Sequence, residues 1–253
     1  MIIFNTDLDN TMIFSYKHDI GDDKINVEIY EGREISFITK KTYDLLRIVK
    51  DKVLFVPTTT RTTEQYERIN LHIGTPEYAL TCNGGVLLID GKEDKEWYNE
   101  SLCLVSDCTD ELSRSEQLLE NESGRTIEVR NIRGLFIFTK CNKPESVVCN
   151  LKKELDISKV DVFNNGVKVY VVPKKLSKGI AIRRFKEYIN GDTIIAAGDS
   201  EFDLSMFTEA DIAIAPQRLA MKHKVAENTK LMPEKKVFSE EVLEEVLKNT
   251  YCK

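Results

Sequence analysis

Four short apolar segments, each followed at once by polar residues, constrain the fold of this chain more than any other feature. They lie at residues 1–5, 53–57, 193–197 and 212–215. Short continuous apolar runs are typical of strands that are buried on both faces of a parallel sheet. Patterns with helical spacing lie between the runs, at residues 37–50 and 178–188, and another follows the last run, at residues 239–248. Strands that alternate with helices predict an α/β fold with a Rossmann-like, doubly wound parallel sheet.

The middle of the chain has a different pattern. Polar and apolar residues alternate over 126–138, Asn165-Gly166 marks a tight hairpin, and an acidic helix is expected over 108–121. Strands and helices grouped in this way predict a separate α+β module inserted into the α/β domain. The predicted domains are a core formed by residues 1–84 and 176–253, and an inserted module at residues 85–175.

The net charge of −6 and the distribution of the apolar residues limit the expected partners. An acidic chain does not have the basic footprint of a nucleic-acid binder. The apolar stretches, such as Leu135–Phe138, are too short to span a bilayer, and residues 1–4 lack the basic region of a signal peptide. The six cysteines form no CxxC pair, which favours reduced thiols. We therefore expect a cytoplasmic monomer or weak homo-oligomer that binds neither nucleic acid nor a membrane.

Two carboxylates, Asp7 and Asp9, follow the first predicted strand in the sequence DLDNT. At positions i and i+2 beyond a strand end, both can face the crevice at the carboxyl edge of a parallel sheet, where ligands bind. Hard carboxylate oxygens in such a place suit Mg²⁺. The same string standing alone would be an ordinary polar turn, so its interpretation depends on the rest of the chain.

Three further polar clusters fall at corresponding places. Residues 57–61, PTTTR, follow the second predicted strand and offer hydroxyl and N–H groups to a phosphate, or caps to a helix expected near 63–73. Lys178 lies in the first turn of a predicted helix, against the preference of the helix dipole, and residues 198–203, GDSEFD, follow the third strand. Each cluster alone has a structural explanation. Together they supply a nucleophile, metal ligands, a phosphate clamp and a cation, which is the chemistry of metal-assisted phosphoryl transfer.

These clusters resemble the four sequence motifs of the haloacid dehalogenase-like superfamily of phosphatases. DLDNT at 7–11 matches the first motif, TTR at 59–61 is similar to the second, SKG at 177–179 matches the third and GDSEFD at 198–203 matches the fourth. The insertion resembles the large α/β cap of the branch that includes sugar-phosphate phosphatases, sucrose-phosphate phosphatase and phosphomannomutase. Asn83 lies in an Asn-Gly segment similar to the one that leads into that cap. The resemblance implies a phosphatase core with a cap that selects the substrate.

The resemblance also implies a mechanism. Asp7 would attack phosphorus and form an aspartyl-phosphate, and Asp9 would protonate the leaving oxygen and then activate water. Thr59 and Lys178 would bind the transferring phosphoryl group. The cofactor would be Mg²⁺, and its ligands would be Asp7, Asp9 through its backbone carbonyl, Asp199 and Asp203. The substrate, a small phosphorylated metabolite such as a sugar phosphate, would contact Thr60, Arg61 and Asn83.

Two positions depart from the family pattern. Thr60 follows the threonine of the second motif where the branch commonly has glycine, and, more seriously, Phe202 stands where the fourth motif usually has asparagine. Phenylalanine forms no hydrogen bond, so the resemblance implies that one polar contact near the metal or the phosphate is missing. Two alternatives to a phosphatase remain open. The first is a phosphotransferase of the phosphomannomutase type, whose motifs are the same. The second is a phosphate-binding protein with weakened catalysis, which Phe202 favours and the retained motif residues oppose.

Overall fold

The computed structural model describes residues 1–250 of the chain. In chain order its strands are β1 (Ile2–Thr6), β2 (Phe14–Ser15), β3 (Lys24–Tyr30), β4 (Arg33–Thr39), β5 (Leu54–Pro57), β6 (Tyr78–Thr81), β7 (Val86–Ile89), β8 (Lys92–Glu93), β9 (Arg130–Ile132), β10 (Phe136–Lys140), β11 (Val160–Asn165), β12 (Lys168–Pro173), β13 (Thr193–Ala197), β14 (Ile212–Pro216) and β15 (Thr229–Met232). Its α-helices are α1 (Lys40–Lys50), α2 (Thr63–Tyr66), α3 (Lys95–Val105), α4 (Thr109–Glu120), α5 (Pro144–Glu154), α6 (Lys178–Tyr188), α7 (Leu204–Glu209), α8 (Gln217–Ala220) and α9 (Phe238–Thr250). Within this part of the chain, none of the helices is long and apolar enough to cross a membrane.

Two compact units make up the structure. One consists of Met1–Asp94 and the chain from Lys178 onward, and the other consists of Lys95–Ser177. The first unit is built on a five-stranded parallel sheet with the order β15-β14-β13-β1-β5. Four of these strands, β1, β5, β13 and β14, are the apolar runs of the sequence, so the predicted α/β fold with a central parallel sheet is confirmed.

The strand order makes β1 the place where a ligand-binding crevice is expected. From β1 the chain builds first on one side, through β5, and later on the other side, through β13 and β14. A strand at which the build direction reverses is a topological switch point, and open α/β sheets bind ligands outside the carboxyl ends of the strands at such a point. The polar clusters that follow β1, β5 and β13 in the sequence therefore meet at one edge of the sheet.

Two predicted helices agree with the structure, and a third begins later than predicted. Helix α6 covers the predicted residues 178–188, and α9 extends the predicted 239–248 at both ends. Helix α1 begins at Lys40 instead of residue 37, because the preceding residues pair in β4. Thr39 then caps the helix, since its side chain accepts a hydrogen bond from the N–H of Thr42.

A three-stranded antiparallel sheet with the order β2-β4-β3 follows β1, and the sequence prediction does not include it. It also explains why the helix predicted near 63–73 is wrong. Helix α2 ends after one turn at Tyr66, and the chain beyond it pairs with β3 instead, through a bridge between Ile69 and Glu28 and a 2.8 Å hydrogen bond from Asn70 N to Val27 O. Residues that the sequence pattern assigned to a helix therefore pair with β3 instead.

The second unit has its own sheet, with the antiparallel order β11-β12-β10-β9. The hairpin predicted at Asn165-Gly166 is confirmed, since β11 pairs with β12 around it and Gly166 has a φ of +55°. Helix α4 lies within one residue of the predicted acidic helix at each end. One face of the sheet packs with α4 and α5 in a core that includes Leu112, Ile137 and Val171.

Candidate active site

Asp7 and Asp9 leave the carboxyl end of β1 in a tight turn. The N–H of Asp7 still donates to the carbonyl of Ala197 on β13, at 2.8 Å, so Asp7 is fixed as a continuation of the parallel ladder. The turn then closes through three N–H groups that all donate to the carbonyl of Leu8. The Asp7 side chain is almost fully buried, whereas the side chain of Asp9 is 48% exposed. The two carboxylates therefore occupy different environments although they are two residues apart.

Lys178 carries its ammonium group between two of the site's carboxylates. Its Nζ lies 2.5 Å from Asp7 Oδ1 and 2.7 Å from Asp203 Oδ1, and the side chain is 1% exposed. Burial alone would lower the pKa of Lys178, but Asp203 and Asp7 raise it well above its ordinary value. Lys178 is therefore a permanent cation at neutral pH, which accounts for a lysine in the first turn of a helix.

Gly179 allows Lys178 to reach this position. A Cβ atom at residue 179 would lie 2.2 Å from the carbonyl oxygen of Ser205, so any larger residue would push α6 away from α7. The N–H of Gly179 also donates to Ser205 Oγ at 3.0 Å. The close approach of the two helices brings Lys178 beside Asp203, one residue before α7 begins.

Asp203 organises the loop after β13. Its Oδ2 accepts hydrogen bonds from the N–H groups of Asp199 and Ser200, at 3.0 and 2.9 Å, and from Ser200 Oγ at 2.9 Å. A Cβ atom at Gly198 would lie 2.3 Å from Asp203 Cγ, so glycine is required where the carboxylate passes the backbone. With its other oxygen on Lys178, Asp203 holds both the loop and the ammonium group in place.

Asp7, Asp199 and Asp203 together form a group of oxygens able to hold a metal ion. One carboxylate oxygen from each lies within 4.8 Å of the other two. Burial raises the pKa of Asp7 well above its ordinary value, opposed by Lys178 and reinforced by the neighbouring carboxylates. Burial and the charge of Asp203 raise the pKa of Asp199 to about 6, against the effect of Arg218. The site thus holds an excess of acidic charge that a divalent cation would relieve, so the residues fit such an ion.

Asp7 and Asp199 are the better candidates for direct ligands, since Asp203 accepts three hydrogen bonds on Oδ2 alone and a fourth, from Lys178, on Oδ1. Thr11 lies between them, with its hydroxyl 3.4 Å from Asp7 Oδ2 and 3.5 Å from Asp199 Oδ1. Arg218 on α8 donates to Asp199 Oδ2 at 3.1 Å. Sequence reasoning missed Arg218, because it lies outside the motifs and nothing in its neighbours marks it.

The second motif brings hydroxyl groups to the same edge of the sheet. Thr59 is fully buried, and its hydroxyl accepts a 3.1 Å hydrogen bond from the N–H of Arg61, which leaves its own proton for another acceptor. Asn83 is 4% exposed, and its N–H donates to the carbonyl of Thr59 at 2.9 Å. Residues 82–84 all have positive φ, and the N–H of Cys82 also donates to the carbonyl of Arg61 at 2.7 Å, so backbone hydrogen bonds hold this short segment against the motif. Thr60 is half-buried beside them.

Arg61 points toward Asp9. Its Nε donates to Asp9 Oδ2 and its Nη2 to Asp9 Oδ1, both at 2.8 Å, in a two-pronged pair. The other side of the guanidinium group meets Glu28, a residue of β3 whose side chain is fully buried. Sequence reasoning missed Glu28, because the sheet that carries it was not predicted. The structure therefore brings Arg61 to the site as a partner of Asp9.

The chain is similar to known proteins in both sequence and fold. A sequence model of the haloacid dehalogenase-like hydrolases matches residues 93–218. Comparison with curated protein sequences gives no match. Solved structures share the fold over nearly the whole chain, each at 14% identity.

Three of these structures illustrate the similarity. A sucrose-phosphatase from Synechocystis sp. has a TM-score of 0.69 and covers 99% of this chain and 98% of its own. A trehalose-6-phosphate phosphatase from Aspergillus fumigatus has a TM-score of 0.57, with coverage of 100% and 93%. A phosphatase of the HAD enzyme superfamily from Bacteroides thetaiotaomicron has a TM-score of 0.56, with coverage of 97% and 95%. The matched segment spans the third and fourth motifs, at residues 177–179 and 198–203, so the predicted resemblance to the haloacid dehalogenase-like hydrolases is confirmed.

Proposed function

We propose that this protein is a magnesium-dependent phosphatase that hydrolyses a small phosphorylated metabolite through an aspartyl-phosphate on Asp7. The observation that carries the proposal is the contact between Asp7 and the buried ammonium group of Lys178, beside the oxygens of Asp199 and Asp203. A nucleophilic carboxylate, a fixed cation and a group of metal ligands at the switch point of the sheet are the components that phosphoryl transfer requires.

In the first step, one oxygen of Asp7 forms a bond to phosphorus while the bond from phosphorus to the leaving oxygen breaks. Asp9, protonated on one oxygen that has left Arg61 while the other stays paired, gives its proton to that leaving oxygen, which departs as an alcohol. Lys178 holds the other Asp7 oxygen and offsets the charge of the phosphoryl group, with Thr59 as a hydroxyl donor. Asp7, Asp199 and the backbone carbonyl of Asp9 would hold Mg²⁺, which supplies charge neutralisation of the phosphoryl oxygens.

In the second step, water attacks phosphorus and breaks its bond to the Asp7 oxygen. Asp9, now ionised, takes a proton from that water, and inorganic phosphate is released. The 48% exposure of Asp9 is consistent with this role, since its carboxylate must meet both the leaving group and water. The near-complete burial of Asp7 suits a nucleophile whose phosphorylated form must be protected from random water.

A sugar phosphate is the substrate class we favour. Two of the structurally similar proteins are a sucrose-phosphatase and a trehalose-6-phosphate phosphatase, and both are similar to this chain over almost its full length. At 14% identity the likeness extends to the fold, so the choice of sugar is open to a direct screen.

Release of inorganic phosphate from a panel of sugar, polyol and nucleotide phosphates tests the proposal. We expect turnover of at least one sugar phosphate with Mg²⁺ and loss of that turnover with a chelator, restored by excess Mg²⁺. Activity that survives chelation would contradict the metal requirement. A folded protein that releases no phosphate from any member of the panel would contradict the hydrolase function itself.

A further inference from the structure

Glu28 is a fully buried carboxylate that no motif includes, and all of its partners are polar. It accepts hydrogen bonds from Arg61 Nη1 at 2.8 Å and Arg61 Nη2 at 3.0 Å, from Ser36 Oγ at 2.7 Å and from Arg68 Nε at 3.1 Å. Burial alone would raise the pKa of Glu28, but the hydrogen bonds from Arg61 and Ser36 lower it below its ordinary value. A buried ion pair is weak evidence for stabilisation, because desolvation offsets the attraction. Stabilisation of the fold is therefore not a sufficient reason for a buried carboxylate at residue 28.

The strand around Glu28 is shaped to aim this side chain. The register between β3 and β4 shifts on both sides of Glu28, which marks a bulge. The side-chain amide of Asn26 holds the bulge by donating to the carbonyls of Glu28 and Ser36, at 3.0 and 3.1 Å. Bulges are common next to active sites, where they redirect a side chain. Here the bulge directs the carboxylate of Glu28 to Arg61.

Arg61 is the link between Glu28 and the active site. It makes five hydrogen bonds, one for each of its N–H groups: two to Asp9, two to Glu28 and one to the carbonyl of Gln65 at 3.3 Å. Its side chain is 13% exposed. A guanidinium group held on one side by Glu28 has a fixed plane, and the carboxylate that pairs with its other side must lie in that plane.

We propose that Glu28 is a positioning residue that acts through Arg61 to orient the carboxylate of Asp9 toward the leaving oxygen. The inference rests on the proposed function, since it concerns the residue that we assign as general acid. The side chain of Asp9 is 48% exposed, and its two-pronged pair with Arg61 restricts the rotamers that it can adopt. Because Arg61 is anchored by a buried carboxylate, the pair with Asp9 selects one of them before substrate binds.

The test compares two substrates whose leaving groups differ in their need for a proton. An alkyl phosphate leaves as a strongly basic alkoxide and depends on the general acid, whereas p-nitrophenyl phosphate releases a stable phenolate with little protonation. The value of kcat/KM reports the steps through formation of the aspartyl-phosphate. For Glu28→Gln we expect kcat/KM to fall by about 10–100-fold with the best sugar phosphate of the panel. With p-nitrophenyl phosphate we expect a loss of less than about threefold.

Thr42→Val is the matched structural control. It replaces a buried hydroxyl of α1, which lies 2.9 Å from Thr39 Oγ1 and 2.7 Å from Ser239 Oγ, by a methyl group in a side chain of similar shape. We expect it to lower the thermal midpoint while the ratio of the two kcat/KM values stays at the wild-type level. If Glu28→Gln fails to fold, Glu28→Asp carries the same test, since it keeps the charge but retracts it from Arg61.

The outcomes separate this inference from the proposed function. Equal losses with the two substrates, or a wild-type ratio in both Glu28 variants, would overturn the positioning role and leave the phosphatase intact. A wild-type protein that hydrolyses neither ester would overturn the proposed function and the positioning role with it. A selective loss with the sugar phosphate, absent from Thr42→Val, would support both.

Discussion

Two parts of the active site contain the same kinds of charged group but arrange them differently. In each, a cation lies between two carboxylates: Lys178 between Asp7 and Asp203, and Arg61 between Asp9 and Glu28. The ammonium group is a compact charge that imposes no plane on its partners, whereas the guanidinium group fixes the orientation of both carboxylates. The first arrangement suits a nucleophile that must change its bonding during turnover. The second suits a general acid and base whose carboxylate must keep one orientation.

The two arrangements also differ in burial. Lys178 and Asp203 are essentially inaccessible to solvent, and Asp7 is nearly so. In the other arrangement only Glu28 is fully buried, and exposure increases through Arg61 to Asp9. Charge interactions are stronger where water is excluded. Substitutions at Lys178 should therefore have larger effects on both activity and stability than substitutions at Arg61, and substitutions at Asp7 should have larger effects on activity.

The largest expected effect is that of Asp7→Asn. An amide is a poor nucleophile, so we expect phosphate release to fall by roughly 10⁴-fold or more, as is typical when a nucleophile is removed. The substitution keeps the shape of the side chain and removes one of the crowded acids, so the thermal midpoint should not fall markedly. Phosphate release and thermal unfolding of the same preparation measure the two effects. Activity near the wild-type level in the folded variant would exclude Asp7 as the nucleophile.

Lys178→Met should lower turnover by about 10²–10³-fold, because a preorganised cation on the phosphoryl group is lost. It also leaves Asp7 and Asp203 buried without their counter-charge, for which removal of one partner typically costs about 3–5 kcal/mol. Added Mg²⁺ would partly replace that charge, so it should raise the thermal midpoint of the variant more than that of the wild type. Unfolding curves with and without Mg²⁺ check this. Equal shifts in the two proteins would mean that Lys178 does not balance the acidic cluster.

Arg61→Lys tests the comparison directly, because it replaces the guanidinium group between Asp9 and Glu28 by an ammonium group like that of Lys178. The positive charge is kept, but the two-pronged pairing with Asp9 is not. We expect turnover of a sugar phosphate to fall by about tenfold, less than in Lys178→Met, with a smaller fall for p-nitrophenyl phosphate. Steady-state kinetics on the two substrates measures the difference. A variant with wild-type kinetics on both would show that charge alone suffices at residue 61.

The same contrast explains how much of this site could be predicted from the sequence. The residues around Lys178 lie directly after strands or at a helix start, so short strings of sequence bring them to one edge of a parallel sheet. Glu28 reaches the site by a different route, through a bulged strand that pairs with the segment after α2. Its position depends on long-range pairing that no local pattern reports. The predicted helix near 63–73 was wrong for the same reason.

Phe202→Asn should have the smallest effect. From sequence, phenylalanine at this position implied a missing polar contact near the metal or the phosphate. In the structure, however, Asp203 already accepts hydrogen bonds from Lys178, from Ser200 and from the backbone of Asp199. An added amide at residue 202 therefore has little left to satisfy on Asp203.

We expect the Mg²⁺ concentration for half-maximal activity of Phe202→Asn to change much less than the roughly 10–100-fold typical of lost supporting contacts. Since the ring is half-buried, the thermal midpoint should fall slightly. A magnesium titration and a thermal scan measure the two quantities, and a large gain in metal affinity would show that Phe202 does leave the loop after β13 short of a polar partner.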